Sequence, residues 1–175
     1  QSDSSADDCK LASEIAKRNG AIEAEYSEDP KDSADLIQVR KLAYPALERM
    51  GVALLDDVVV PISEISTLVE GVSKIAEKSK LTIGMFGHAG DGNMHPTIVY
   101  PHNDSHAEEQ AMTAFNEIIS LAQSLGGTAS GEHGIGNLKV LQSNQEISTR
   151  VLQLQQSIKK TFDPQGILNP GKKIP

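Results

Sequence analysis

Leu11, Ile15 and Ala16 share one helical face within residues 7–19, and Gly20 stands where a C-cap would end that helix. AIEAEY, residues 21–26, reads as a short strand. After the turn-like SEDPKDS, Leu36, Val39, Leu42, Leu47 and Met50 recur at helical spacing over residues 34–50, with Gly51 as the stop. Pro45 has no N–H to give the preceding turn, so it is expected to bend or divide this helix. VALLDDVVVP is rich in branched residues and closes on a proline, which predicts a strand over about residues 52–60.

Ile65, Leu68, Val69, Val72 and Ile75 predict an amphipathic helix over 62–79. LTIGMFGH and NMHPTIVY read as two strands, and Ser105 with Glu108 forms a capping-box pattern before a helix running to Leu125. GGTASGEHGIG is a glycine-dense loop. Ile147, Val151, Leu154, Ile158 and Phe162 then predict a last helix over 145–162, ahead of the tail DPQGILNPGKKIP. This order contains at least one hairpin, so the predicted class is α+β: an antiparallel or mixed sheet, helices on one face, and a helical C-terminal segment.

The 175 residues suit one domain, or one large domain with a terminal extension. With three Tyr, three Phe and no Trp, aliphatic side chains must fill the core. A formal charge of -8 disfavours nucleic acid and anionic lipid, whose phosphates need clustered Lys and Arg. One cysteine, Cys9, excludes an internal disulfide and fits a reducing compartment. No apolar run approaches the roughly 20 residues of a membrane span. The chain begins with Gln rather than Met, so a piece of a longer protein is expected.

Two histidines bracket the glycine-rich tip of GHAGDGNMHP, residues 87–96. If Asp91-Gly92 forms a two-residue type I′ turn, His88 faces His95 and Ala89 faces Met94. Directly opposed side chains lie about 4.5 to 5.5 Å apart at Cβ, close enough for both rings to reach one metal. Solvated turn histidines remain the alternative, and two ligands are too few. SGEHGIG, residues 130–136, offers Glu132 as a third ligand and leaves His133 free as an acid or base; an exposed loop is the alternative there. His102 and His106 show no partner pattern and read as surface residues near a helix start.

Three motifs, GHAGDGNMH at 87–95, SGEHGIG at 130–136 and FDPQGILNPGK at 162–172, occur in order, with a weaker match in VRKLAYPAL and DDVVVP. With these motifs the chain resembles the C-terminal half of FAD-linked oxidases of the vanillyl-alcohol oxidase superfamily. The resemblance is to the branch holding the glycolate oxidase flavin subunit, D-lactate dehydrogenase and D-2-hydroxyglutarate dehydrogenase. It implies a ferredoxin-like cap domain over residues 1–125, with residues 126–175 returning to an FAD-binding domain absent from this chain. His88, His95 and Glu132 match the ligands of a divalent metal, zinc or manganese, and His133 matches the catalytic base. Arg40 matches the arginine that grips the substrate carboxylate; Asn93 lines the same pocket and Asn169 lies near the flavin.

The implied reaction is oxidation of a 2-hydroxy acid, with hydride passing to FAD and the hydroxyl proton to His133. Without the resemblance, Arg40 reads as a solvated helix residue. Leu55 stands where the 2-hydroxyglutarate branch carries a lysine, which argues for a monocarboxylate such as lactate or glycolate, and Ile37 replaces a tryptophan of that branch. The implied setting is cytoplasmic, or peripheral at a membrane where an electron acceptor resides, with a homodimer among the expected assemblies. The chain alone is expected to show no turnover. A metal-dependent hydrolase using the same His₂Glu set and a noncatalytic metal-binding module are the competing readings.

Overall fold

The computed structural model describes residues 5–174, which fall into two compact units divided between Ala46 and Leu47. The outer ends of the predicted 1–125 and 126–175 segments therefore lie outside the described residues.

In the first unit, α1 (Ser5–Arg18) opens on Asp7 and Asp8 and closes on Lys17 and Arg18, charges that complement the helix dipole. Ser13 Oγ donates to the Ala24 carbonyl at 2.7 Å, tying the following segment back to α1. AIEAEY is consequently an irregular connection and not the predicted strand: no ladder is offered to it. In α2 (Pro30–Lys41), Asp29 caps the first turn by accepting from Lys31 and Asp32 N–H at 2.8 and 3.1 Å, and Pro30 takes the first helical position. The predicted helix 34–50 is divided at Leu42, before α3 (Ala43–Glu48), because Pro45 has no N–H for the Lys41 carbonyl.

The second unit is built on β1 (Val52–Leu55), β2 (Val58–Val59), α4 (Ile65–Ser79), β3 (Thr82–His88), β4 (Asn93–Tyr100) and α5 (Ser105–Ser124). β4 is central and all its pairings are antiparallel. β3 runs along one edge from Thr82↔Val99 to His88↔Asn93, while β1 and β2 run along the other. Val52↔Tyr100 and Val59↔Asn93 belong to one continuous register, so the predicted strand 52–60 is a single line interrupted at Asp56 and Asp57. Asp56 N–H still donates to the Pro96 carbonyl at 2.8 Å. Thr128 bridges Val59 beyond β2, giving strand, helix, strand, strand, helix, strand: a ferredoxin-like α+β order whose fourth strand is one bridge long.

Alternation along β4 separates the two faces. Met94 and Ile98 face α4 and α5 and join Leu68, Val72, Phe115 and Ile118 in the aliphatic core. Asn93, His95, Thr97 and Val99 point the other way, and all four are buried. The N-cap of α5 is Asp104 rather than Ser105: its carboxylate accepts from Ala107 N–H at 2.9 Å, and Ser105 becomes the first helical residue.

The predicted helix 145–162 is two helices, α6 (Val140–Glu146) and α7 (Thr149–Phe162). Ile147 and Ser148 are extended between them, and Ser148 Oγ accepts from Val151 N–H at 3.3 Å, since a serine hydroxyl favours capping over a helix interior. Val151, Leu154, Ile158 and Phe162 keep their register on α7 but remain 41–80% exposed. No described helix is long and apolar enough to cross a membrane.

Candidate metal centre

The β3–β4 hairpin turns through four residues, Ala89 to Asp91 followed by Gly92, and not through a two-residue turn. A type I′ turn needs positive φ at both central residues, and Asp91 does not adopt it, whereas Gly92 lies at φ 78°. Gly92 also packs so closely that a Cβ would sit 2.0 Å from the Val60 carbonyl oxygen. His88 therefore pairs with Asn93, and Phe86 with His95, so the predicted direct facing of His88 and His95 is wrong by two residues. The displacement preserves side-chain parity, so both histidines still share a face as diagonal neighbours, with ring centroids 5.5 Å apart and planes at 89°.

Asp56 and Asp57, buried in the middle of an apolar strand, carry the glycine-rich loop. Lys139 Nζ lies 2.7 Å from Asp56 Oδ1 and donates to the Asp57 and Ala129 carbonyls at 2.5 and 3.1 Å, so its three protons are all used. Burial, the largest influence on Asp56, raises its pKa above the ordinary 3.8 despite the Lys139 charge. Glu146 holds the loop's first residues by accepting from Thr128, Ala129 and Gln123. Burial pushes Glu146 upward, but those hydrogen bonds together bring it below its ordinary value. Asp57 Oδ2 accepts from His133 N–H at 2.8 Å, on the same β4-facing side that carries His95.

These supports place Glu132 Oε1 3.4 Å from His88 Nε2, 3.2 Å from His95 Nε2 and 3.5 Å from His133 Nε2. None of the three contacts has hydrogen-bond geometry. The distances fit donors sharing one ion instead, because metal bonds of about 2.0 to 2.1 Å in a tetrahedron set neighbouring ligands about 3.3 to 3.4 Å apart. His95 is nearly fully buried at the base, while the side chains of His88, His133 and Glu132 are roughly half exposed. Burial, opposed by Asp57, holds the His95 pKa below 6.5, favouring the neutral ring that a metal requires. His133 stacks on His95, with centroids 5.0 Å apart and planes 6° from parallel.

The structure thus brings His88, His95, Glu132 and His133 together. Asn93 is buried beside them on the same face, its Oδ1 without a hydrogen-bond partner. Arg40 is an exposed residue in the last turn of α2, in the first unit. Asn169 is exposed in the tail at φ 45°, outside the donor cluster, and Lys173 N–H bonds the Gly136 carbonyl to hold that tail against the loop's end. Sequence reasoning gave no role to Asp56, Asp57 or Lys139. The available signal was two adjacent acids inside VALLDDVVV, where a core strand tolerates charge only with partners.

A fold and a donor cluster of this kind accompany a close match to known proteins. Residues 1–173 match the family model described as FAD linked oxidases, C-terminal domain, and the chain belongs to that family. Among curated relatives, glycolate oxidase subunit GlcD of Bacillus subtilis is 36% identical over 90% of this chain and 34% of its own length. D-lactate dehydrogenase of Archaeoglobus fulgidus is 36% identical over 96% of the chain and 37% of its own. The mitochondrial D-lactate dehydrogenase [cytochrome] of Arabidopsis thaliana is 32% identical over 95% and 30%. The chain spans about a third of the length of these relatives.

Proposed function

We propose that this chain is the substrate-binding part of an FAD-dependent 2-hydroxy acid dehydrogenase or oxidase of D-lactate or glycolate type. His88, His95 and Glu132 hold a divalent metal, and His133 is the base. The observation that carries this is the convergence of two imidazole nitrogens on one carboxylate oxygen at 3.2 and 3.4 Å without hydrogen-bond alignment. Three protein donors leave coordination open to substrate, and the His₂Glu set suits zinc or manganese. A metal bound there supplies Lewis acidity toward the substrate's hydroxyl and carboxylate oxygens. FAD, held mainly by a domain outside this chain, supplies the hydride acceptor.

The chain's own residues do the rest. His133 Nε2 takes the hydroxyl proton, its ring held by stacking on His95 and its backbone by Asp57 Oδ2. Asn93, buried beside the cluster with its Oδ1 unpartnered, orients the substrate. Beside His133, a hollow of about 160 Å³ is lined by Leu55, Ile135 and Leu138 among others. Its one lysine, Lys139, is already paired with Asp56, so the hollow favours a short aliphatic side chain over a second carboxylate. Residues 126–175 return to the flavin domain, with the apolar face of α7 covered there and Asn169 near the flavin.

The test is flavin bleaching by D-lactate and glycolate in the longer protein that carries this chain. His133→Ala is expected to slow the reductive step at least about 100-fold while substrate still binds. Unchanged reduction in that variant, or after removal of metal by chelator, would contradict the reading.

A further inference from the structure

We propose that Asp57 is the positioning residue of this centre, one buried carboxylate that sets the His95 ring and the Glu132–His133 backbone together; this rests on the metal-centre reading above. Three contacts meet on it. Oδ1 lies 3.2 Å from His95 Nδ1, with both side chains at least nine-tenths buried and neither atom having a hydrogen-bond partner. Oδ2 accepts from His133 N–H at 2.8 Å. Gly131 packs flat against the carboxylate, and a Cβ there would lie 2.2–2.4 Å from Oδ1, Cγ and Oδ2. Glu132 is thus fixed on both sides by Asp57, at Gly131 through contact and at His133 through a hydrogen bond.

The consequence for His95 is chemical. A carboxylate has no proton to give, and a bare Nδ1 would set its lone pair against Oδ1 in a buried site, so the proton is assigned to the ring nitrogen facing Oδ1. That leaves Nε2 with its lone pair directed toward Glu132 Oε1, which is the tautomer a metal ligand needs. Asn at position 57 would keep one acceptor for His133 N–H and turn its NH₂ toward Nδ1. The imidazole would then carry its proton on Nε2, and the ligand lone pair would face the wrong way.

The test is ¹⁵N NMR of the His95 ring in this chain above neutral pH, unsubstituted and as Asp57→Asn, beside zinc titrations of both proteins. The expected result is a protonated Nδ1 in the unsubstituted chain and a protonated Nε2 in Asp57→Asn, with zinc bound about 10- to 100-fold more weakly by the variant. A protonated Nε2 in the unsubstituted chain overturns the proposal, and that measurement stands even if the variant fails to fold. Zinc loss in Asp57→Asn with an unchanged tautomer also overturns it, because Asp57 would then act as a ligand; Asp57, His95 and His133 donors do lie within 4.8 Å of one another. If the tautomer switches but neither protein binds zinc, positioning by Asp57 is upheld and the metal reading fails.

Discussion

Lys139→Met removes the cation that pins the glycine-rich loop to the strand carrying Asp56 and Asp57. Three interactions go at once: the 2.7 Å ion pair with Asp56 Oδ1 and the hydrogen bonds to the Asp57 and Ala129 carbonyls. Removing one partner of a buried pair costs about 3–5 kcal/mol, because the remaining charge is left uncompensated. Asp56 can lower that cost by taking a proton, and burial already raises its pKa above 3.8. Without Lys139 the folded-state value rises further. A carboxyl whose folded pKa exceeds its unfolded one favours the fold while protonated, and loses that contribution as pH rises through the folded value. The deficit of the variant should therefore be smallest near pH 4 and grow to about 3 kcal/mol by about pH 7. Urea unfolding at several pH values measures it, as a shift of midpoint at constant slope. Adding Asp56→Asn, which keeps an acceptor for the Asp57 N–H at 2.7 Å, should recover much of the loss, the two bared carbonyls accounting for the remainder. A loss under about 1 kcal/mol, or one independent of pH, would refute the electrostatic clamp.

Gly131→Ala should weaken zinc binding by at least about 10-fold while Tm falls by only a few degrees, since the displaced Asp57 carboxylate supports the site more than the core; unchanged zinc affinity would argue against that packing. Asp104→Ala should destabilise by about 1 kcal/mol in urea, whereas Ser105→Ala should stay within about 0.5 kcal/mol, the ranking following the observed cap. The purified chain should reduce no artificial electron-acceptor dye with D-lactate or glycolate, and turnover without added protein would contradict the assignment of FAD to a separate domain.

What the sequence made legible follows from where the physics is local. The helices predicted over 7–19, 62–79 and 105–125, the Pro45 break and the two hairpin strands depend on neighbours within a few residues and stand in the structure, whereas the periodic run 145–162 is split at Ile147 and Ser148. The turn is not legible, because the dipeptide Asp91-Gly92 suits a two-residue turn as well as the longer one. Only the close packing of Gly92 on Val60 distinguishes the longer one. His88 and His95 still share a face because parity survives the shift. The roles of Asp57 and Lys139 are not local, since they rest on contacts 76 and 82 residues apart in the chain. AIEAEY read as a strand until Ser13 claimed the Ala24 carbonyl, a side-chain contact that no periodicity encodes.

The most direct measurement is elemental analysis of the purified chain beside His88→Ala and Glu132→Ala. The expected result is about one divalent metal per chain, lost in both variants, because each removes a donor from the 3.2–3.4 Å cluster on Glu132 Oε1. Metal that persists in both variants would contradict the His₂Glu centre.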